Sequence, residues 1–188
     1  MIFLGRGGQG GVTASNILVQ AAIYESKYAQ SFPFFGAERR GAPVAAYARL
    51  SDKPILKHGM FSEADILIVL DDSLLKLGVV KKYLIRDNGY LIVNTSSTSI
   101  QRDQISTNGR VHTYVVNATK IAKEMGLIVA GWPLVNTPML GSLVAATKIL
   151  SLESVEKAVI DYFGEKIGRK NVEAVKRAYE ETKYVGEV

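Results

Sequence analysis

Gly5, Gly7 and Gly10 stand at the spacing Gly-x-Gly-x-x-Gly, inside the run Gly5-Arg6-Gly7-Gly8-Gln9-Gly10-Gly11. That spacing can bind an anion. Glycines let the backbone turn tightly and let a phosphate approach its N–H groups. A helix starting just beyond adds the positive end of its dipole. Arg39 and Arg40 form a second set, in a segment from Gln30 to Pro43 that also carries Phe32, Phe34, Phe35 and Glu38. Guanidinium forks donate in pairs to phosphate oxygens. A long connection is often functional, and its phenylalanines suit stacking or a subunit interface. Each set has a bland counterpart: a packing turn with no ligand, and Glu38 pairing one arginine while the phenylalanines fill the core.

Other chemistries find no support in the residues. There is no cysteine, which excludes disulfides and cysteine-held iron–sulfur clusters within this chain. His58 and His112 are far apart, so a histidine metal site is not expected. No Ser/His/Asp set stands out. Asp71-Asp72 reads as a helix cap after a strand. A nicotinamide site would need an acid at the end of the second strand. That strand, Tyr28 to Phe32, runs into Pro33 without one, and Glu25 precedes it. The glycine turn therefore reads as a phosphate or anion cradle.

The elements that must position it alternate along the chain. Ile2-Phe3-Leu4 reads as a strand and Val12 to Tyr24 as a helix. Strands are expected at Val44 to Leu50, Ile66 to Leu70, Tyr90 to Val93 and Val111 to Val116. Helices are expected at Leu74 to Tyr83 and Asn117 to Met125, with a turn at Asn88-Gly89. Trp132-Pro133 and Asn136 to Gly141 interrupt the next region, before a buried helical segment at Leu143 to Leu150. Ser151 caps a helix to Phe163, Gly164 closes it, and Lys170 to Thr182 forms the last helix. This order predicts an α/β fold: a three-layer α/β/α sandwich with a mainly parallel, Rossmann-like sheet and C-terminal helices. The 188 residues fit one domain, with 151–188 as a helical C-terminal cap or subunit contact.

Composition sets the limits. The chain is 47% apolar, ample for a core, and no run approaches a membrane span. Its start inside a strand argues against a secretory signal, so a cytoplasmic protein is expected. The net charge of +5 is uneven: residues 1–150 hold 16 Lys and Arg against 10 Asp and Glu, residues 151–188 hold 7 against 8. A basic field around the glycine turn favours a polyanion or an acidic partner. No basic run or nucleic-acid motif accompanies it, and nucleic acid is not expected as a partner.

Taken in order, Gly5-Arg-Gly-Gly-Gln-Gly10, the loop Ser31-Phe-Pro-Phe-Phe-Gly-Ala-Glu-Arg-Arg-Gly-Ala-Pro43 and Asn136-Thr-Pro-Met-Leu-Gly141 resemble the gamma subunit of 2-oxoacid:ferredoxin oxidoreductases. The same unit forms a domain of single-chain pyruvate:ferredoxin oxidoreductases. The resemblance runs from residue 2 to about residue 180. It implies a complex that oxidatively decarboxylates pyruvate or a related 2-oxoacid, forms acyl-coenzyme A and reduces ferredoxin. Thiamine diphosphate, magnesium and iron–sulfur clusters would sit on alpha, beta and delta-type partner subunits. This chain would be non-catalytic alone, with coenzyme A as its ligand. The resemblance thus makes Gly5, Gly7, Gly8, Gln9, Gly10, Arg39, Arg40 and Asn136 the cofactor-binding set. Relatives often have a few more residues before the first strand, and some carry a fused ferredoxin-like unit that is absent here. The loop leans toward the pyruvate or branched-chain versions. The alternatives are a stand-alone nucleotide- or anion-binding protein and a scaffold whose glycine turn is only structural.

Overall fold

The structure is a computed structural model that describes residues 1–33 and 41–188. Ile2, Phe3 and Leu4 are large and apolar, and they form β1 (Ile2–Arg6) with both faces buried. Such a strand belongs in the middle of a sheet covered on both sides. The glycine turn follows and leads into α1 (Gly11–Tyr24). Ala14, Ile17, Leu18, Ala21 and Ala22 recur along α1 at helical spacing and are buried.

Next come β2 (Tyr28–Pro33), β3 (Pro43–Ser51), β4 (Glu63–Val69), α2 (Ser73–Lys76), β5 (Leu84–Asn94), β6 (Ser106–Thr107) and β7 (Val111–Val116). They are followed by α3 (Ala118–Glu124), β8 (Ile128–Val129), β9 (Trp132–Pro133), α4 (Asn136–Thr147), α5 (Leu152–Glu181) and β10 (Lys183–Glu187). The main sheet runs β10-β7-β5-β4-β1-β3-β2, with the short β6 beside β5. The pairs β1–β4, β4–β5 and β5–β7 are parallel; β3, β2 and β10 add antiparallel edges. The expected α/β sheet with a parallel core is therefore present.

Its two coverings are unequal. Helices α1, α3, α4 and α5 pack on one face over Phe3, Ile68, Ile92 and Val116. The other face presents Ile2, Leu4, Leu67, Val69, Leu91 and Val93 to α2 and short turns carrying Val80 and Ile105.

Four local readings change. The helix expected over Leu74 to Tyr83 shrinks to α2 and a 3₁₀ turn at Val80–Lys82. Gly78 takes φ +67°, and the bonds Val79 N–H to Leu74 O and Gly78 N–H to Leu75 O close the helix there. Asn88-Gly89 turns, but inside one long β5: residues 86–89 stand opposite Asp65 alone. Helix α4 begins at Asn136 rather than Leu143, because Pro138 lies in its first turn, where no backbone donor is needed. The residues after Thr182 form β10 against β7, where no strand was expected.

The connectivity creates the site. From β1 the chain crosses to one side, to β2 and β3, and returns to the other side as β4. Neighbouring parallel strands whose connections diverge leave a crevice beyond their C-terminal ends. The glycine turn and Asp71-Asp72 stand at those ends.

Candidate functional site

In the turn, Gln9 N–H bonds Arg6 O at 3.0 Å, and Gly8 and Gly10 take φ +99° and +81°. That left-handed region is costly for L side chains. Ala14 N–H gives the first helical bond, to Gly10 O at 2.9 Å, so the amides of Gly11, Val12 and Thr13 precede the α1 ladder. Gly10 is the N-cap and supplies no side-chain cap. The two glycines serve different ends. A Cβ on Gly10 would lie 2.8 Å from the Asn136 side chain, whereas a Cβ on Gly8 would meet nothing within 4 Å among the described residues. Gly10 is needed for packing; Gly8 leaves a backbone face open.

A cavity of about 390 Å³ lies over that face. Gly5, Gly7, Gly8, Gly10 and Asn136 line it together with Thr13, Leu134 and Phe163. The structure thus gathers five of the eight expected residues around one space. Asn136 is 3% exposed, and its Oδ1 has no hydrogen-bond partner among the described residues. A buried acceptor left unpaired costs about 1–3 kcal/mol, which a ligand donor would recover. Gln9 turns away from the cavity: Oε1 accepts from Arg6 N–H at 2.7 Å and Nε2 donates to Asp71 at 3.1 Å. Its side chain braces the turn and faces a neighbouring cleft. Arg39, Arg40, Phe34 and Phe35 lie outside the described residues. Phe32, at the end of β2, is half-buried beside His58 and the Arg49 guanidinium.

Arg6 ties the region together, a role its place inside a glycine motif does not announce. It donates to Asp71 at 3.0 Å, to Ser73 Oγ at 2.7 Å and to Gly41 O at 2.9 Å. Gly7 N–H bonds Ala42 O and Gly41 N–H bonds Gly7 O, so the chain re-enters the described structure clamped to the turn. Burial alone would push the Asp71 carboxyl up. Hydrogen bonds from Ser73 and Gln9 and the Arg6 charge outweigh it and hold the group below the ordinary carboxylate range. Asp71 is therefore a ligand of the turn, not only a cap, although Ser73 N–H does bond it. At the N-cap position itself, Asp72 makes no cap bond and accepts from Thr95 instead.

Arg6→Ala should cost about 2 kcal/mol in urea unfolding at neutral pH, since it takes the paired charge from a partly buried carboxylate and a donor from the Gly41 carbonyl. Because the folded-state pKa of Asp71 is depressed, its contribution is present above the unfolded value of about 4 and fades as pH falls through the folded value. The stability gap between the parent and Asp71→Asn should narrow accordingly in acid. A gap that stays constant with pH would refute the charged role.

Among the described residues, no helix is long and apolar enough to cross a membrane, and no group of three His, Cys, Asp or Glu could hold a metal ion. The family model described as pyruvate ferredoxin/flavodoxin oxidoreductase matches residues 1–181. The pyruvate/ketoisovalerate oxidoreductases common subunit gamma of Thermococcus litoralis is 46% identical over 180 residues, 96% of this chain and 95% of that protein. Pyruvate synthase subunit PorC of Methanothermobacter marburgensis is 43% identical over 184 residues, 98% of this chain and 97% of that one. The crystal structure of pyruvate oxidoreductase subunit PORC from Thermotoga maritima superposes with a TM-score of 0.79 at 35% identity, covering 97% and 96% of the two chains.

Proposed function

The chain belongs to the pyruvate ferredoxin/flavodoxin oxidoreductase family, and from that premise we propose that it is the subunit that holds coenzyme A for the complex. The observation that carries this reading is the open glycine face beside an unpaired, buried acceptor. Gly8 keeps a left-handed turn whose outer side meets no neighbour among the described residues, and Asn136, which lines the same cavity, keeps a buried Oδ1 with no partner among them. The backbone amides and the α1 N-terminus favour a phosphate. Asn136 Oδ1 accepts a donor, such as an amide N–H of the pantetheine arm. A glycine turn kept only for packing would need no such pairing of an open amide face with an orphaned acceptor.

In the complex, coenzyme A supplies the thiol that takes the acyl group from the 2-oxoacid. This chain binds the phosphates at Gly8, Gly10 and the first amides of α1, orients the arm through Asn136 and closes one wall with Leu134 and Phe163. Arg39 and Arg40 directly precede Gly41, which is bonded to the turn at Gly7, and their guanidinium groups serve the same phosphates. Thiamine diphosphate, magnesium and the iron–sulfur clusters belong to alpha, beta and delta-type partners, with ferredoxin as the electron acceptor. The compartment is the cytoplasm, and the unit works as one domain.

Steady-state kinetics of the reconstituted complex test the reading. The double variant Arg39→Ala/Arg40→Ala should raise KM for coenzyme A about tenfold and flatten its dependence on salt, because the phosphate contacts are ionic. KM for the 2-oxoacid should hardly change. A complex that assembles normally with the parent salt dependence would remove both arginines from the site.

A further inference from the structure

A second cleft, about 470 Å³, opens on the other side of Gln9, beyond the C-terminal ends of β1, β4, β5 and β7. It occupies the crevice where the connections from β1 diverge, the place where open α/β sheets bind ligands. Its floor is built and held. Asn94 is 6% exposed and is fixed by bonds to Leu70 O at 2.8 Å and to Thr119 Oγ1 and N–H at 2.9 and 3.0 Å. Thr95, 7% exposed, donates to Asp72 Oδ2 at 2.8 Å. That bond aims a carboxylate which has no ion pair among the described residues.

Three groups of different chemistry meet at this cleft. Asp72 offers a carboxylate at the end of a strand parallel to β1, where such a group accepts from vicinal hydroxyls. The acid that is missing after β2 is thus present after β4. Lys123 offers an ammonium without an ion pair among the described residues. Trp132, 40% exposed on the β8–β9 hairpin, offers a flat aromatic face at the rim.

We propose that this cleft is a second binding site and that its ligand is a nucleoside phosphate. The base stacks on Trp132, the ribose hydroxyls donate to Asp72, and Lys123 pairs with the phosphate. The proposal stands apart from the reading of the glycine cavity, because Gln9 and Leu134 to Asn136 separate the two spaces and no lining group of the ligand's three contacts is shared.

Trp132 is the sole tryptophan of the sequence, so its fluorescence reports this cleft alone. Titrating the full chain with adenosine 5′-monophosphate should quench it saturably, while ribose 5-phosphate, which has no base, should not. Asp72→Asn should weaken binding about tenfold, the loss of a charge-assisted hydrogen bond. Trp132→Phe, followed by equilibrium dialysis, should keep weakened binding without the optical signal. Gly8→Val should bind the nucleotide as the parent does, which separates this site from the glycine cavity. Coenzyme A, whose ribose carries a 3′-phosphate in place of one of the vicinal hydroxyls, should not displace the nucleotide; displacement at comparable concentration would overturn the ribose contact with Asp72. No saturable binding by fluorescence or dialysis overturns the proposal. So does a Trp132 signal that ignores the nucleotide and shifts only when partner subunits are added, since the cleft is then a subunit contact.

Discussion

Replacing Gly141 with alanine is expected to cost about 3 kcal/mol or more in denaturant unfolding, at the upper end for overpacking a core. Gly141 lies midway along α4, buried where α4 packs against α5. A Cβ built there would sit 2.1 Å from the Val175 carbonyl oxygen and 2.9 Å from its carbonyl carbon. Both are backbone atoms, so no side chain can rotate away; the helices must move apart. That movement would strip contacts from Leu140, Leu143, Ala174 and Ala178, all buried in the same core. It would also pull on Asn136 at the head of α4 and on its contact with Gly10. The loss should therefore appear in stability and in partner binding together. A Gly141→Ala chain with the parent midpoint would show that α4 and α5 are not packed this closely.

Gly141 closes a motif that reads in sequence as an interruption. Its physical meaning needs a second helix, and α5 brings Val175 to it from 34 residues away. The same limit runs through the site. β1, the turn and α1 are legible because strand, glycine spacing and helical periodicity are local properties of consecutive residues. The parallel core is legible for the same reason, from continuous apolar runs such as Ile66 to Leu70. The orphaned acceptor at Asn136 is not, since its burial against Gly10 depends on residues 126 positions apart. Nor is the hub at Arg6, whose partners Gly41, Asp71 and Ser73 are gathered only by the sheet. β10 escapes because an edge strand with three of its five residues exposed carries no clear alternation, and its hydrogen bonds to β7 define it.

Gly8→Val is expected to raise KM for coenzyme A at least about tenfold in the reconstituted complex, through loss of one or two charge-assisted contacts. The argument turns on what surrounds the new side chain. At Gly10 a Cβ collides with Asn136, so a substitution there confounds packing with binding. At Gly8 the described residues offer no collision, only the φ of +99°, whose strain should cost the fold about 1–2 kcal/mol. The chain should still fold and assemble, with the valine standing where a phosphate must approach the amides. The effect should fall on coenzyme A and leave KM for the 2-oxoacid within about twofold, because the proposed function leaves the 2-oxoacid to the partner chains. Gly8→Ala should give a smaller rise than valine, with less backbone strain because it is not β-branched, and urea unfolding of both variants separates distortion from obstruction. If both variants assemble and retain the parent KM for coenzyme A, the open face binds nothing and the glycine at position 8 answers only to the turn.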